Sequence, residues 1–580
     1  MASVSVTSAA VGRLSRSWPI GLVLGVVTLL TVQRFGNDLC WDDAHLMDLA
    51  AALDRSGDPL RVFNRGTLAL VHGEESSERA ASGTLELYRP LALLTFWLGY
   101  RAAGRDPLPQ HALNLALHLL CIVLVYVLAR ARFGPEQRAR ALLPAAWFGL
   151  TPHLGEAHVW ISGRFDLLCG ACVLLALCCW RSAVARAGAA ARGLQLLTGT
   201  AFLAALLAKE TALFALCALP FWPEERAPWR TRLQRCTPFL GATAVYALLR
   251  VAAVPGVTTG FAPAELWLGA SRFGVVVLDA LTSLLFPVRL YSRLPSEDYA
   301  ALGTTGALAC AALLAALVYG SARARAALPW TAFGLLWLVA LLVPVALVTT
   351  RGWPGFGRYL YLPASLFFIG LAELAFWLYD HARAARLQLA LRALLVAQLC
   401  AFALALHLYT SDWKDDETLF IGIITVAPQR SHGYAFLGMT YLERQRYREA
   451  VALLRKAVEI APGERRYLAK FGHALLFAGD LQGARALARD AIVRFEQAPE
   501  FHLLEAYSWL EQDPERAARA LLECLRSDPR HAEGLQALAF LRTRHPSAPI
   551  YRALLERLSA EPRFAAIRPL VRPKAREPNR

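Results

Sequence analysis

Pro109-Gln110-His111-Ala112-Leu113-Asn114-Leu115-Ala116-Leu117-His118-Leu119-Leu120-Cys121-Ile122-Val123-Leu124-Val125-Tyr126-Val127-Leu128 contains no Asp, Glu, Lys or Arg. A helix of about 20 such residues crosses the hydrocarbon of a bilayer. His111, Asn114 and His118 recur at i, i+3 and i+7, so they share one face that is costly to expose to lipid. That face is expected to turn into a bundle. Apolar runs of similar length recur along the 580-residue chain, of which 56% is hydrophobic, and this excludes an ordinary soluble globule. The net charge of +16 would suggest a nucleic-acid partner in a soluble protein. Here the arginines lie between apolar runs, where the positive-inside rule places them, and no nucleic-acid partner is expected.

Arg13 and Arg16 precede the first run, about Trp18 to Val32. With no small-residue cleavage site behind it, the run reads as a signal-anchor helix pointing outward. Clusters at Arg130/Arg132/Arg138/Arg140, Arg181/Arg186/Arg192, Arg226/Arg230/Arg232/Arg235, Arg323/Arg325 and Arg383/Arg386/Arg392 mark the inner side and give about eleven spans. The last, Leu387 to Leu408, leaves on the side opposite the N-terminus. Segments 88–103 and 267–288 break this alternation if made to span, and are laid in the outer interface.

After His407 the composition changes and a period of about 34 residues appears. Tyr434, Leu437, Gly438, Tyr441, Tyr447, Ala450, Leu454, Ala457 and Pro462 occupy the positions of a tetratricopeptide repeat, with small residues where paired helices approach closely. Phe471, Gly472, Gly479, Ala484, Ala488 and Ala491 repeat the pattern, and Ala517, Leu521, Cys524 and Pro529 repeat it again with one residue fewer. The chain therefore reads as all-α: a membrane bundle over 1–410, a leading half-repeat over 411–430, a repeat solenoid over 431–545, and a cap with a basic tail over 546–580. Such a stack offers a concave surface for a protein partner.

Polar residues collect on the outer side of the bundle. Asp42 and Asp43 follow the first span, where a general base could reach the water boundary. Lys209, alone among the first 410 residues in being Lys, lies with Glu210 in an apolar run; a charge at that depth normally marks a site or a pair. Adjacent helical residues diverge by about 100°, which argues against mutual neutralisation of these two. Arg89 opens the next short apolar helix. Pro152 to His158, with His153 and Glu156, and Ser162 to Asp166, with Arg164, read as a short outer turn. Arg358 and Tyr361 stand in a later outer loop. Several cations thus meet several carboxylates at one face, an arrangement suited to a phosphate or pyrophosphate. The cysteines in apolar runs, including Cys169 and Cys172, act as small hydrophobes.

In this order, Asp42-Asp43, Tyr88-Arg89-Pro90-Leu91, His111/Asn114/His118, Pro152-His153 through Glu156, Ser162-Gly163-Arg164-Phe165-Asp166, Lys209-Glu210 and Arg358-Tyr359-Leu360-Tyr361, the chain resembles GT-C glycosyltransferases that end in tetratricopeptide repeats. The nearest group is the transmembrane, repeat-containing O-mannosyltransferases and their bacterial relatives. The resemblance implies a polyprenyl-phosphate-linked sugar donor, transfer with inversion on the extracytoplasmic face of a plasma membrane, and a protein Ser/Thr hydroxyl as acceptor. It implies Asp42 as base, Asp43 as supporting carboxylate, and Lys209, Arg164, Arg358 and Arg89 as donor-phosphate ligands. Glu210, His111, Asn114, His118, His153, Glu156, Asp166 and Tyr361 form the supporting polar cluster. No cofactor is required beyond the lipid-linked donor, with a divalent metal through His153, Glu156 and His158 as the lesser alternative. The Gly/Ser/Glu-rich middle of the loop from Arg55 to Glu86 departs from the family pattern and leaves acceptor specificity open. Other classes of function are a non-catalytic multipass scaffold, a related enzyme acting on a lipid or polysaccharide, and a transporter. A transporter would need polar groups through to the inner half.

Overall fold

The computed structural model describes residues 19–66, 70, 87–134, 137–254, 262–287, 303–349, 357–495, 498–529 and 531–544. Among these every regular element is a helix. The cap and tail at 546–580, and the Gly/Ser/Glu-rich middle of the first outer loop, lie outside the described residues. Two compact units divide the chain, Met1–Thr418 and Leu419–Arg580.

The first unit contains nine described helices long and apolar enough to cross a membrane; the pair Trp229–Arg235 and Thr237–Ala253, bent by 48°, would make a tenth. Among the described residues this count is close to the reading of about eleven spans but not identical with it. One cause of the difference is the segment after Ala141. It breaks at Thr151, whose extended backbone (ψ 116°) separates Leu142–Leu150 from Pro152–Val159. Pro152 cannot donate the hydrogen bond that would continue the first helix, but fits the first turn of the second. Residues 152–166 are consequently not the exposed turn expected from sequence: every residue of Pro152–Val159 is buried, packed against Ala385–Ser411 and Gly357–Leu360.

A second correction concerns the segment laid in the outer interface at 267–288. It forms a continuous helix, Pro263–Leu285, long enough to cross. Pro263 in the first turn and the Glu265 side chain accepting the Ala262 amide N–H at 2.7 Å start the helix a turn earlier than its apolar run suggests. Gly274 lets it approach its neighbour: a Cβ there would stand 2.8 Å from the Ala311 nitrogen. Segment 88–103 forms the shorter helix Pro90–Ala103, packed on Asp43–Ser56.

Leu108–Phe133 runs through the core of this unit, burying Gln110, His111, Asn114, His118 and Cys121. It packs on Arg164–Val184, which carries Gly188–Ala208 on another side, while Pro329–Thr349 pairs with Tyr361–His381. At the far end of the same helix from His111, Arg132 is paired with the fully buried Glu373 carboxylate. That carboxylate also accepts the Thr331 amide at 2.8 Å. Arg140 grips Asp380 through two contacts of 2.6 and 2.8 Å.

The second unit is a succession of antiparallel-type hairpin helices in which each packs on the next: Ser431–Glu443, Tyr447–Ile460, Arg465–Phe477, Leu481–Arg494, Pro499–Trp509, Pro514–Ser527 and Ala532–Arg544. The repeat positions behave as their sizes require. Ala450, Leu454, Ala457, Ala484, Ala488, Ala491, Ala517, Leu521 and Cys524 are fully buried. A Cβ on Gly438 would meet Leu454 at 2.7 Å, and one on Gly472 would meet Leu504 at 2.3 Å. Phe420, ahead of the first full repeat, stacks on Phe436 at 5.5 Å between ring centroids.

Candidate active site

The first helix ends in the turn Val32–Gly36, and the chain then crosses the bundle to begin a new helix at Asp43. Asp42 stands at the N-cap position with no side-chain capping bond. It is exposed, and no described residue gives its carboxylate a hydrogen bond or ion pair. Asp43 is the opposite case. It is buried, and its oxygens accept the Ser162 amide at 2.8 Å, the Ser162 hydroxyl at 2.7 Å and the Cys40 amide at 3.2 Å. One carboxylate of the pair faces solvent; the other ties this turn to the loop at 160–163.

Burial moves the Asp43 carboxyl from 3.8 up to about 7, against the hydrogen bonds from Ser162 and Cys40 and with a smaller push from Asp42. A carboxyl that binds its proton more tightly in the folded chain stabilises the fold most at low pH. Stability contributed by this group is present below the unfolded value, falls as pH rises toward about 7 and levels off above it. We expect the thermal midpoint to fall across that window, and Asp43→Asn to flatten the profile. A wild-type midpoint independent of pH there would remove Asp43 as a titrating tie.

The cations sit on elements that converge from elsewhere in the chain. At the end of Gly188–Ala208 the backbone of Lys209 becomes extended (φ −161°, ψ 128°), and the two adjacent charges separate. Lys209 Nζ meets Asp166 Oδ1 at 2.5 Å. Glu210 accepts from Arg89 Nε at 2.9 Å and Nη2 at 2.5 Å. Arg358 lies between these groups and the acidic pair. Its Nε is 3.9 Å from Glu156 and 4.0 Å from Asp166, its guanidinium lies 4.0 Å over the Trp160 ring, and it is within electrostatic reach of Asp42. Gly357 supplies the close approach: its amide donates to Glu156 at 2.9 Å, and a Cβ there would stand 2.4 Å from the His153 carbonyl oxygen.

Arg164 is placed differently. Fully buried, it donates to Asn114 Oδ1 at 2.8 Å and to the carbonyls of Gln110 and Thr95 at 3.0 and 3.4 Å, and lies over the Phe96 ring. Asn114 uses its other end on the carbonyls of Trp160 and Ile161, at 2.9 and 3.3 Å. Arg164 and Asn114 therefore lace three helices together, away from the Lys209 groove. His118 and Tyr361 share a 2.8 Å hydrogen bond, and His118 stacks on His158 at 4.2 Å. His158 Nδ1 is in turn 2.6 Å from Arg34. Both nitrogens of buried His111 lack a hydrogen-bond partner among the described residues. His153, Glu156 and His158 do not converge: among the described residues no three His, Cys, Asp or Glu side chains could hold a metal ion together.

A small groove is lined by the polar side chains of Asp166, Lys209, Thr211 and Tyr359 and by Cys169, Leu341, Val345, Leu362 and Pro363. Lys209 Nζ also lies 4.8 Å from the centre of the Tyr359 ring. Sequence reading gave no role to Tyr359 or Trp160, the rings beside the cations, or to Arg34, which meets His158. An aromatic beside a buried cation has no signal in one sequence.

Fold and site together define a multipass membrane protein with a charged groove, followed by tetratricopeptide repeats. Residues 431–464 match the tetratricopeptide repeat family model. The chain is 38% identical over 135 residues to protein O-mannosyl-transferase Tmtc1 of Drosophila melanogaster, covering 23% of this chain and 15% of that protein. It is 32% identical over 155 residues to protein O-mannosyl-transferase tmtc2 of Xenopus laevis, covering 26% and 17%, and 35% identical over 126 residues to the human protein O-mannosyl-transferase TMTC1, covering 21% and 13%. The matched stretches are thus under a fifth of these curated relatives' own length. Among solved structures, the APC/C hetero-tetramer Cut9-Hcn1 matches with a TM-score of 0.24 and 12% identity over 86% of this chain and 89% of that one, too slight a likeness to bear on the fold. Over these stretches the chain is similar to protein O-mannosyl-transferases.

Proposed function

We propose that this protein is an inverting glycosyltransferase that moves mannose or another hexose from a polyprenyl-phosphate donor to a protein Ser/Thr hydroxyl on the extracytoplasmic face. The groove at Lys209 carries this reading. Its polar and apolar lining suits an amphiphile with a phosphate at one end and a hydrocarbon tail at the other, and Arg358, 4.0 Å from Asp166, is within electrostatic reach of the exposed Asp42.

In the proposed reaction Asp42 takes the proton of the acceptor hydroxyl as its oxygen bonds to the anomeric carbon. The bond from that carbon to the phosphate oxygen breaks on the opposite face, and the electron pair leaves on the phosphate. Lys209, Arg358 and Arg89 stabilise the negative charge that this oxygen acquires. Each cation already holds a carboxylate nearby, so the site is balanced when empty and the phosphate shares existing pairs rather than meeting bare charges. Arg164 braces the scaffold through Asn114.

The test is incubation of the purified chain with polyprenyl-phosphate mannose and a Ser/Thr peptide, reading peptide mass and anomeric configuration. Transfer with inversion supports the reading; binding of the peptide to the repeats with no transfer under any donor would favour a scaffold. The repeats are proposed to lie on the same side as Asp42 and to present the acceptor. A reporter fused after Arg544 should then work only in an exported environment. Activity only in the cytoplasm would overturn both the side and the presentation.

A further inference from the structure

Resting on the reading of Asp42 as base, we propose that Asp416 is a positioning residue for it, acting through the backbone of Trp41. Trp41 has φ 55°, one of two non-glycine residues with positive φ among those described, a region that bulky side chains rarely adopt. Such an outlier persists only where the surroundings over-determine it. Here the over-determination comes from the segment just after the last membrane helix. Trp41 N–H donates to Asp416 Oδ1 at 2.7 Å. Asp38 N–H donates to the Lys414 carbonyl at 2.9 Å, and Asn37 Nδ2 to the Trp413 carbonyl at 2.8 Å. The Trp160 ring centroid lies 5.5 Å from that of Trp41 and 5.6 Å from that of Trp413, while its Nε1–H donates to the Cys40 carbonyl at 3.2 Å.

Residues 37–41 are therefore docked on 413–416, and the last of these bonds falls on the amide one residue before the base. Among the described residues no hydrogen bond or ion pair holds the Asp42 carboxylate. Its direction is set by the backbone turn at Trp41, and the turn is held by Asp416. Without that acceptor Trp41 is free to relax to negative φ, which swings the Asp42 carboxylate away while leaving Lys209, Arg89 and Arg358 on their own elements. A misplacement of about 1 Å at a reacting group costs roughly 10²-fold in rate.

The experiment uses the full-length chain in lipid nanodiscs with polyprenyl-phosphate mannose as donor. Asp416→Ala is expected to lower kcat by roughly 10²-fold with the donor KM unchanged, whereas Asp416→Asn, which retains an acceptor oxygen, keeps most of kcat. Independently of activity, hydrogen exchange over residues 37–43 should accelerate in Asp416→Ala and stay slow in Asp416→Asn, with exchange over 108–133 unaltered. Exchange over 37–43 that does not change in Asp416→Ala overturns the proposal. So does Asp416→Asn as slow as Asp416→Ala. Because glycine adopts positive φ without strain, removing Asp416 should cost less in a Trp41→Gly background than in the wild type; an equal or larger loss there also overturns it. That pair gives the result even where Asp416→Ala alone does not accumulate. Full activity of Asp42→Asn would dismiss Asp42 as base while the exchange measurement still judges the tie to Trp41.

Discussion

Replacing Asp42 by Asn is expected to lower transfer by about 10²- to 10⁴-fold, the usual contribution of a positioned general base, with the fold unchanged. The second half of this expectation is as specific as the first. Asp42 is exposed and makes no side-chain capping bond, and Asn serves as well as Asp at a helix N-cap, so the change in stability should stay within about 0.5 kcal/mol. The rate of mannosyl transfer and a thermal melt of the same preparation check both halves. A variant that melts normally and still transfers at the wild-type rate would falsify the assignment. Inactivity accompanied by a collapsed melt would place Asp42 in the scaffold instead.

Lys209→Met should be the most destabilising of the substitutions in the groove. It takes from the buried Asp166 carboxylate its closest cation and leaves it Arg358 at 4.0 Å and the field of Arg89, and removing one partner of a buried pair typically costs about 3–5 kcal/mol. Replacing both residues by apolar side chains of similar volume removes the orphaned charge, so Lys209→Met/Asp166→Leu should recover most of that loss. Donor binding separates a structural pair from a functional one. If Lys209 holds the donor phosphate, the double variant folds but binds polyprenyl-phosphate mannose weakly. Recovery of donor affinity together with stability would confine Lys209 to architecture.

What could be read in one sequence follows the range of the interactions involved. The repeats were legible because their signal is local and recurs: Gly438 and Gly472 stand one period apart, each under a leucine that leaves no room for a Cβ. The inward face of Leu108–Phe133 was legible because His111, Asn114 and His118 lie on one helix. The acidic pair could be found, and resemblance alone divided it into Asp42 as base and Asp43 as support. Which of Asp42 and Asp43 faces water depends on Ser162, 119 residues away. Helical geometry already argued against Lys209 neutralising Glu210, but the chain parts them by leaving the helix at Lys209, and their partners, 43 and 121 residues distant, could not be read. The burial of Pro152–Val159 was missed for the same reason. Its polar sequence suits a surface turn, and only the elements packed over it make it interior.

The break at Lys209 also limits how this chain can change over evolutionary time. Gly188–Ala208 exposes much of its surface, with Leu196 73% accessible, so its outward residues are open to exchange among apolar types. Its length is another matter. Insertion or deletion of one residue would turn everything beyond it by about 100° and shift it by about 1.5 Å, carrying Lys209 off Asp166 and Glu210 off Arg89 in a single step. Point substitutions can be mended one partner at a time; a change in length breaks two pairs that belong to different neighbours. Among descendants of this chain that keep the groove, the helix should drift in composition while its residue count stays frozen.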